Sequence, residues 1–155
     1  MRQLTFVAAL LLAGNAEAGG LQFQCGPSKG YAYYAEEGIA AQAPGWTEDS
    51  ISKGESVIDF DLDNLTIDYR FKSASGVWKR PATDGGTTSI TSLDDDMSFV
   101  FMAIYPPEAG LIEIVTVAEI DNEAYTATML LTQVKNDSML ASAKILKSDC
   151  KVVGF

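Results

Sequence analysis

After residue 97 the chain consists of mostly apolar stretches of strand type, and short turn-forming segments separate them. The stretches cover residues 97–105, 111–121, 124–134 and 139–150. They are joined by PPEAG, a short Asp-Asn-Glu step and KNDS, and Pro, Gly, Asn and Asp all favour turns. Because these connections are too short for crossover helices, the neighbouring strands are predicted to run antiparallel.

The chain before residue 97 carries the same pattern in shorter pieces. Residues 21–25 predict a half-buried strand that Gly26-Pro27 ends, and a second short strand is predicted around residues 31–34. Residues 56–62 and 65–72 predict a hairpin, with Asp63-Asn64 as a two-residue turn of type I′. Further short strands are predicted over residues 77–80, where Pro81 ends the strand, and over residues 87–93.

The longest stretch without a period is residues 36–54. It is predicted to be a surface loop anchored by Trp46 and Ile51, with a helical turn from Thr47 to Ser50. The predicted strand over residues 97–105 is apolar on both faces, so this loop is our candidate to cover its outer side.

Eight to ten short strands with turn signals every eight to twelve residues indicate an all-β barrel or sandwich. Cys25 and Cys150 lie near the two ends of this series, and in an oxidising compartment they are predicted to form one disulfide bond. Free thiols or an intermolecular bond are the alternatives. A Cys25–Cys150 bond would bring the first and last strands together, which favours a single-domain antiparallel meander closing into a small barrel of about eight strands.

The first 18 residues have the pattern of a signal peptide. Arg2 precedes an apolar run of eleven residues, and Ala16-Glu17-Ala18 forms an A-x-A cleavage site. The alternatives are a buried helix or a membrane anchor, but spanning a bilayer takes about 20 apolar residues. The sequence therefore predicts an exported chain, periplasmic or secreted, whose β-barrel domain covers residues 19–155.

The formal net charge is −10, and removal of Arg2 with Glu17 leaves it unchanged. A negative field repels phosphate backbones and anionic lipid, so neither nucleic acid nor a membrane is the expected partner. The expected partner is a protein or a small molecule of unspecified identity.

The chain contains no histidine, which excludes Ser-His-Asp and Cys-His catalysis and removes the commonest zinc and haem ligand. Glu113 and Glu119 are predicted to share one face of a strand about 20 Å apart, too far for a glycosidase pair. Asp59, Asp61 and Asp63 begin like a calcium loop, but the later positions that need Gly and Glu hold other residues. We therefore expect no metal, no cofactor and no catalysis, with a carboxylate-dependent hydrolase as an alternative.

A binding surface is the remaining source of function, and aromatic side chains with a polar tip are suited to it. Core packing is the alternative for each of them. Lys79 and Arg80 are predicted to form a compact basic spot beside Trp78 on an otherwise acidic protein. The candidate surface comprises Tyr31, Tyr33, Tyr34, Trp46, Ser75, Trp78, Lys79 and Arg80.

Two known classes of protein share features with the chain. LQFQC at residues 21–25 with Cys150, together with SASG at 73–76 and TDG at 83–85, resembles the small periplasmic barrels that inhibit C-type lysozymes. Val77-Trp78 stands where that family has Ala-Arg, and this chain is longer. The C-terminal Phe155 is similar to that of outer-membrane barrels, but Lys144, Lys147, Asp149 and Lys151 interrupt the apolar alternation that a lipid-facing strand requires.

The first resemblance implies an inhibitor-like binding module, and the second implies a small outer-membrane barrel. Weighing both, we expect an exported, soluble, non-catalytic binding protein. The outer-membrane barrel is kept as the first alternative.

Overall fold

The structure, a computed structural model, describes residues 19–35, 44–72, 75–94, 98–136 and 143–154. The predicted signal peptide, residues 1–18, lies outside the described residues. The described residues form ten β-strands and one short 3-10 turn at Pro107–Ala109. The strands are β1 (Gly20–Tyr34), β2 (Gly45–Ile51), β3 (Ser56–Asp61), β4 (Thr66–Lys72), β5 (Trp78–Lys79), β6 (Thr87–Leu93), β7 (Phe99–Ile104), β8 (Leu111–Asp121), β9 (Thr126–Lys135) and β10 (Ala143–Gly154).

All ten strands belong to one antiparallel sheet, which confirms the all-β prediction. Its order is β5-β4-β3-β1-β10-β9-β8-β7-β6, and β2 pairs with β1 beside β3. The sheet curls strongly. This is seen from Phe23 on β1 and Phe99 on β7, whose ring centroids are 5.4 Å apart. In a flat sheet four strand spacings would separate them by about 19 Å. No helical segment in the described part of the chain has the length and apolar character needed to cross a membrane.

The inner face at the end of the sheet that holds Gly20 is packed with apolar side chains. Phe99 lies at its centre, with the ring of Phe60 4.7 Å away, and Tyr69 meets Phe101 at 5.3 Å. These rings come from opposite walls of the curl, so their packing holds the curvature. The other core members include Ile58, Val115, Val117, Ala127, Met129, Leu131, Leu146 and Val152.

The curl does not close into a fully hydrogen-bonded barrel, so the predicted closure is corrected to a half-barrel. The main strand path ends at β5 and at β6, and β6 faces β4 across the gap without a strand ladder. The hydroxyl of Thr88 donates a 3.2 Å hydrogen bond to the carbonyl of Ile67 across it. β5, the edge strand beside β4, is only two residues long, and Pro81, which lacks an N–H, follows soon after it, so β5 does not continue into a ladder with β6.

The predicted disulfide bond is present. Cys25 and Cys150 are directly opposite each other on β1 and β10, with Cα atoms 4.0 Å apart. The first and last strands are therefore neighbours, as the cysteine positions predicted. The gap in the curl lies elsewhere, between β4 and β6.

The strand predicted over residues 21–25 and the short one around 31–34 are one continuous strand. Gly26 and Pro27 do not end β1 but form a bulge. The register shows it: Cys25 pairs with Cys150, and Ser28, three residues later, pairs with Ser148, two residues earlier on β10. One extra residue on β1 is accommodated there. The missing N–H of Pro27 is tolerated at such a bulge.

The predicted loop over residues 36–54 is wrong for its second half. Residues 45–51 form β2, which pairs with β1 from Tyr34↔Gly45 to Ser28↔Ile51, so there is no helical turn at Thr47. β2 lies against β1 and leaves the outer side of β7 open, where Ile104 is exposed. Residues 36–43 lie outside the described residues.

The β3–β4 hairpin is present, but its turn differs from the predicted two-residue form. Asp61 pairs with Thr66, so four residues connect the strands, and Leu65 rather than Asn64 has positive φ, 49°. One carboxylate oxygen of Asp61 accepts hydrogen bonds from the backbone N–H groups of Asp63 and Asn64. This side-chain bonding stabilises the wider turn. The β8–β9 turn repeats it, with Asp121 in the bonding position.

Candidate functional site

A cavity of about 540 Å³ lies inside the curl, beyond the packed core. Ligand pockets commonly measure about 300–1,000 Å³. Its apolar walls are Tyr69, Phe71, Met129, Leu131 and Leu146, and its polar walls include Ser28, Glu113, Gln133 and Ser148. A larger depression of about 750 Å³ follows β1 and β2, but it is shallow and none of its lining residues is buried.

The bulge in β1 creates this cavity. Before the bulge β1 pairs with β3, ending at Cys25↔Ser56, and after it β1 pairs with β2, starting at Ser28↔Ile51. The connection at residues 52–55 lies between the two partners. The wall therefore splits at this point, and the inner face beyond it stays open to solvent along the connection.

Glu113 on β8 is the buried acidic group of the cavity, with only 2% of its surface exposed. Its Oε2 accepts a 3.0 Å hydrogen bond from the hydroxyl of Tyr105, and its Oε1 accepts a 3.1 Å bond from Nε2 of Gln133. Burial raises the pKa of Glu113, and the two hydrogen bonds only partly oppose this rise. Burial and the nearby carboxyl group also raise the pKa values of Tyr69 and Tyr105, so both phenols stay protonated.

Ser148 on β10 is a second buried polar group of the cavity. It is 2% exposed, and its Oγ atom has no hydrogen-bond partner in the described part of the protein. Ser28, its cross-strand neighbour, is also buried. Buried hydroxyl groups are nearly always hydrogen-bonded, so an orphan hydroxyl lining a cavity points to a missing partner.

Charged side chains near the cavity mouth form ion pairs with one another. Lys144 binds Asp49 at 2.7 Å, and Lys72 binds Glu55 at 3.1 Å. No ion pair among the described residues includes Glu113. Lys53, a third lysine at the mouth, has no ion-pair partner among the described residues. The interior keeps one carboxyl group without a cation.

Part of the predicted aromatic surface comes together on the outer face. Tyr33 and Trp46 are a cross-strand pair with ring centroids 5.5 Å apart, and Tyr31 follows on the same face. Tyr34 lies on the other face of β1. The exposed rings border a wider apolar band across β10, β9, β8 and β7, formed by Ile104, Ile112, Ile114, Leu130, Val134 and Ile145.

The remaining predicted residues lie apart from those rings, around β5. Ser75 is exposed in the turn before β5, and Trp78 is exposed with Nζ of Lys72 5.9 Å from its ring centroid. Arg80 binds Asp68 at 2.9 Å, while Lys79 lines a different depression with Asp84 and Tyr105. The structure therefore divides the predicted basic spot, and one of its two cations is paired.

The acidic residues considered from the sequence also separate. Glu113 and Glu119 do not share a face, because one extra residue between Ala118 and Asp121 forms a bulge. Glu119 has φ 54° and an exposed side chain that accepts a 2.7 Å hydrogen bond from Thr128. Asp59 binds Arg70 at 2.7 Å while Asp61 bonds its own turn. Among the described residues no cluster of acidic, Cys or His side chains has the arrangement of a metal site.

The buried residues Glu113 and Ser148 and the partly buried Gln133 were not among the predicted site residues. Glu113 is in phase with Val115 and Val117, which are fully buried, but Ile112 and Ile114 make the opposite face of the strand apolar as well, so the sequence pattern alone did not indicate which face is buried. Comparison with known proteins adds no further assignment: no family model, curated protein or solved structure matches the chain.

Proposed function

We propose that this chain is an exported, non-catalytic binding protein that takes a small molecule into the cavity inside the curled sheet. The orphan hydroxyl of Ser148, buried in the wall of a ligand-sized cavity, carries the proposal. A bound molecule would supply the partner that the protein does not. The disulfide bond is consistent with the oxidising compartment that export implies.

The charge arrangement favours binding over catalysis. The acidic side chains near the mouth are held in ion pairs with lysines, and Glu113 is held by two neutral donors. A hydrolase of the carboxylate class needs a second free acid roughly 5–10 Å from the first. A mixed apolar and polar cavity with fixed hydrogen-bonding groups is the usual form of a small-molecule site.

A dye titration with a blocked cavity tests the proposal. The neutral dye N-phenyl-1-naphthylamine, which fluoresces in apolar sites, is titrated into the disulfide-bonded protein and two variants. Gln133→Phe places a ring in the cavity, and Thr132→Phe, one residue away on β9, places the same ring on the outer face. We expect Gln133→Phe to lose the dye signal and Thr132→Phe to keep it. Equal signals from both variants would overturn the proposal, because the dye would then be on the outer apolar band.

A further inference from the structure

The chemical class of the ligand follows from the buried carboxyl group, and this step depends on the proposed function. We infer that the cavity binds an amphiphilic amine, with its ammonium group at Glu113 and its apolar body along Tyr69, Phe71, Leu131 and Leu146. Glu113, Ser148 and the apolar residues all line the same cavity.

Glu113 is the electrostatic reason for a cation. A buried charge is normally paired, and within the described part of the chain this carboxyl group has a phenol and an amide as its donors. Each carboxylate oxygen can accept more than one hydrogen bond, so both retain capacity for a ligand donor. An ammonium group in the cavity would compensate the desolvated charge, which the two neutral donors do not.

The neighbouring groups suit the same ligand. The orphan Oγ of Ser148 is an additional acceptor for an N–H group. Tyr69 borders the cavity, and an aromatic ring attracts a cation to its face. Two of the three lysines at the mouth are paired with Asp49 and Glu55, which leaves Lys53 as one unpaired cation among the described residues there. The net charge of −10 still draws cations toward the protein.

A fatty acid is the opposite case. Its carboxylate could pair with Lys53 at the mouth, but its tail would then meet Glu113, Gln133 and Ser148 in the interior. Those buried polar groups would stay unsatisfied, which is costly. The interior polarity therefore favours a cationic amphiphile over an anionic one.

The test compares two ligands of equal chain length, decylamine and decanol, as competitors of N-phenyl-1-naphthylamine at neutral pH. In the natural protein we expect decylamine to bind about tenfold more tightly than decanol, the ratio expected for one charge-assisted hydrogen bond. Glu113→Gln keeps the shape of the side chain and removes its charge. We expect this variant to lose the preference for decylamine over decanol.

Glu119→Gln is the matched control, since it removes one negative charge from the same strand on the exposed side. It should keep the preference for the amine. If Glu119→Gln lowers the preference as much as Glu113→Gln, the attraction is only that of the net charge and the inference is wrong. Equal binding of amine and alcohol by the natural protein also overturns it, while leaving the cavity as a binding site. If neither competitor displaces a dye that Gln133→Phe excludes, the amphiphile class itself is wrong.

Discussion

The hydroxyl of Tyr105 donates a 3.0 Å hydrogen bond to the carboxyl group of Glu113 inside the curled sheet. In the unfolded chain Glu113 loses its proton near its ordinary pKa of 4.5, whereas burial raises the pKa in the folded protein. Between these two values the folded state binds more protons than the unfolded state. The stability contributed by Glu113 is therefore present at low pH and is lost as the pH rises through this window.

Glu113→Gln should reverse this loss. We expect the free energy of unfolding of the variant, relative to the natural protein, to increase as the pH rises above 4.5, the ordinary pKa of this carboxyl group. Urea denaturation at several pH values measures the difference. Glu119→Gln, which removes an exposed carboxyl group from the same strand, is the control. A Glu113→Gln difference that stays constant with pH would contradict the assignment.

The bond between Cys25 and Cys150 constrains the unfolded chain strongly, because it links residues 125 positions apart. Replacing both residues by serine should lower the free energy of unfolding by about 2–5 kcal/mol. The denaturant midpoints of the variant and of the reduced natural protein should both be lower than that of the disulfide-bonded protein. Two unchanged midpoints would show that the curled sheet does not depend on the bond.

Gly30 permits the close approach of β1 to β10. A Cβ atom at this position would overlap the backbone carbonyl of Ile145, whereas at Gly26 nothing lies within 4 Å. We expect Gly30→Ala to destabilise the protein by about 1–3 kcal/mol, as overpacking does. Gly26→Ala, on the same strand, should change the stability by less than about 0.5 kcal/mol. Thermal unfolding compares the two, and equal effects would contradict the close approach.

Periodicity predicted the strands whose two faces differ. Leu65, Ile67, Tyr69 and Phe71 alternate with polar residues, and the hairpin they predict is present. The prediction failed where the two faces are alike. Trp46, Glu48 and Ser50 face one way and Thr47, Asp49 and Ile51 the other, so the sequence of β2 has no apolar face to recognise. β2 is a strand because it pairs with β1, and the local pattern of its own residues does not encode that pairing.

The site escaped prediction for a related reason. In β8 the residues Ile112 and Ile114 point outward while Val115 and Val117 point inward, so both faces are apolar and the location of Glu113 is undetermined by pattern alone. The bulge after Ala118 then moves Glu119 to the opposite face from the predicted one. The two hydrogen-bond partners of Glu113 are Tyr105 and Gln133, and they come together only when β7, β8 and β9 are in register.

The pairing of β1 with β10 also determines when β1 can complete its hydrogen bonding during synthesis. Cys25 leaves the ribosome 125 residues before Cys150, which takes roughly 6–25 s at about 5–20 residues per second. During that interval β1 can pair with β2 and β3 on one side, while its other edge has no partner. An unpaired strand edge invites association with other chains. A nascent chain of this protein therefore passes through an aggregation-prone stage that ends only when β10 arrives.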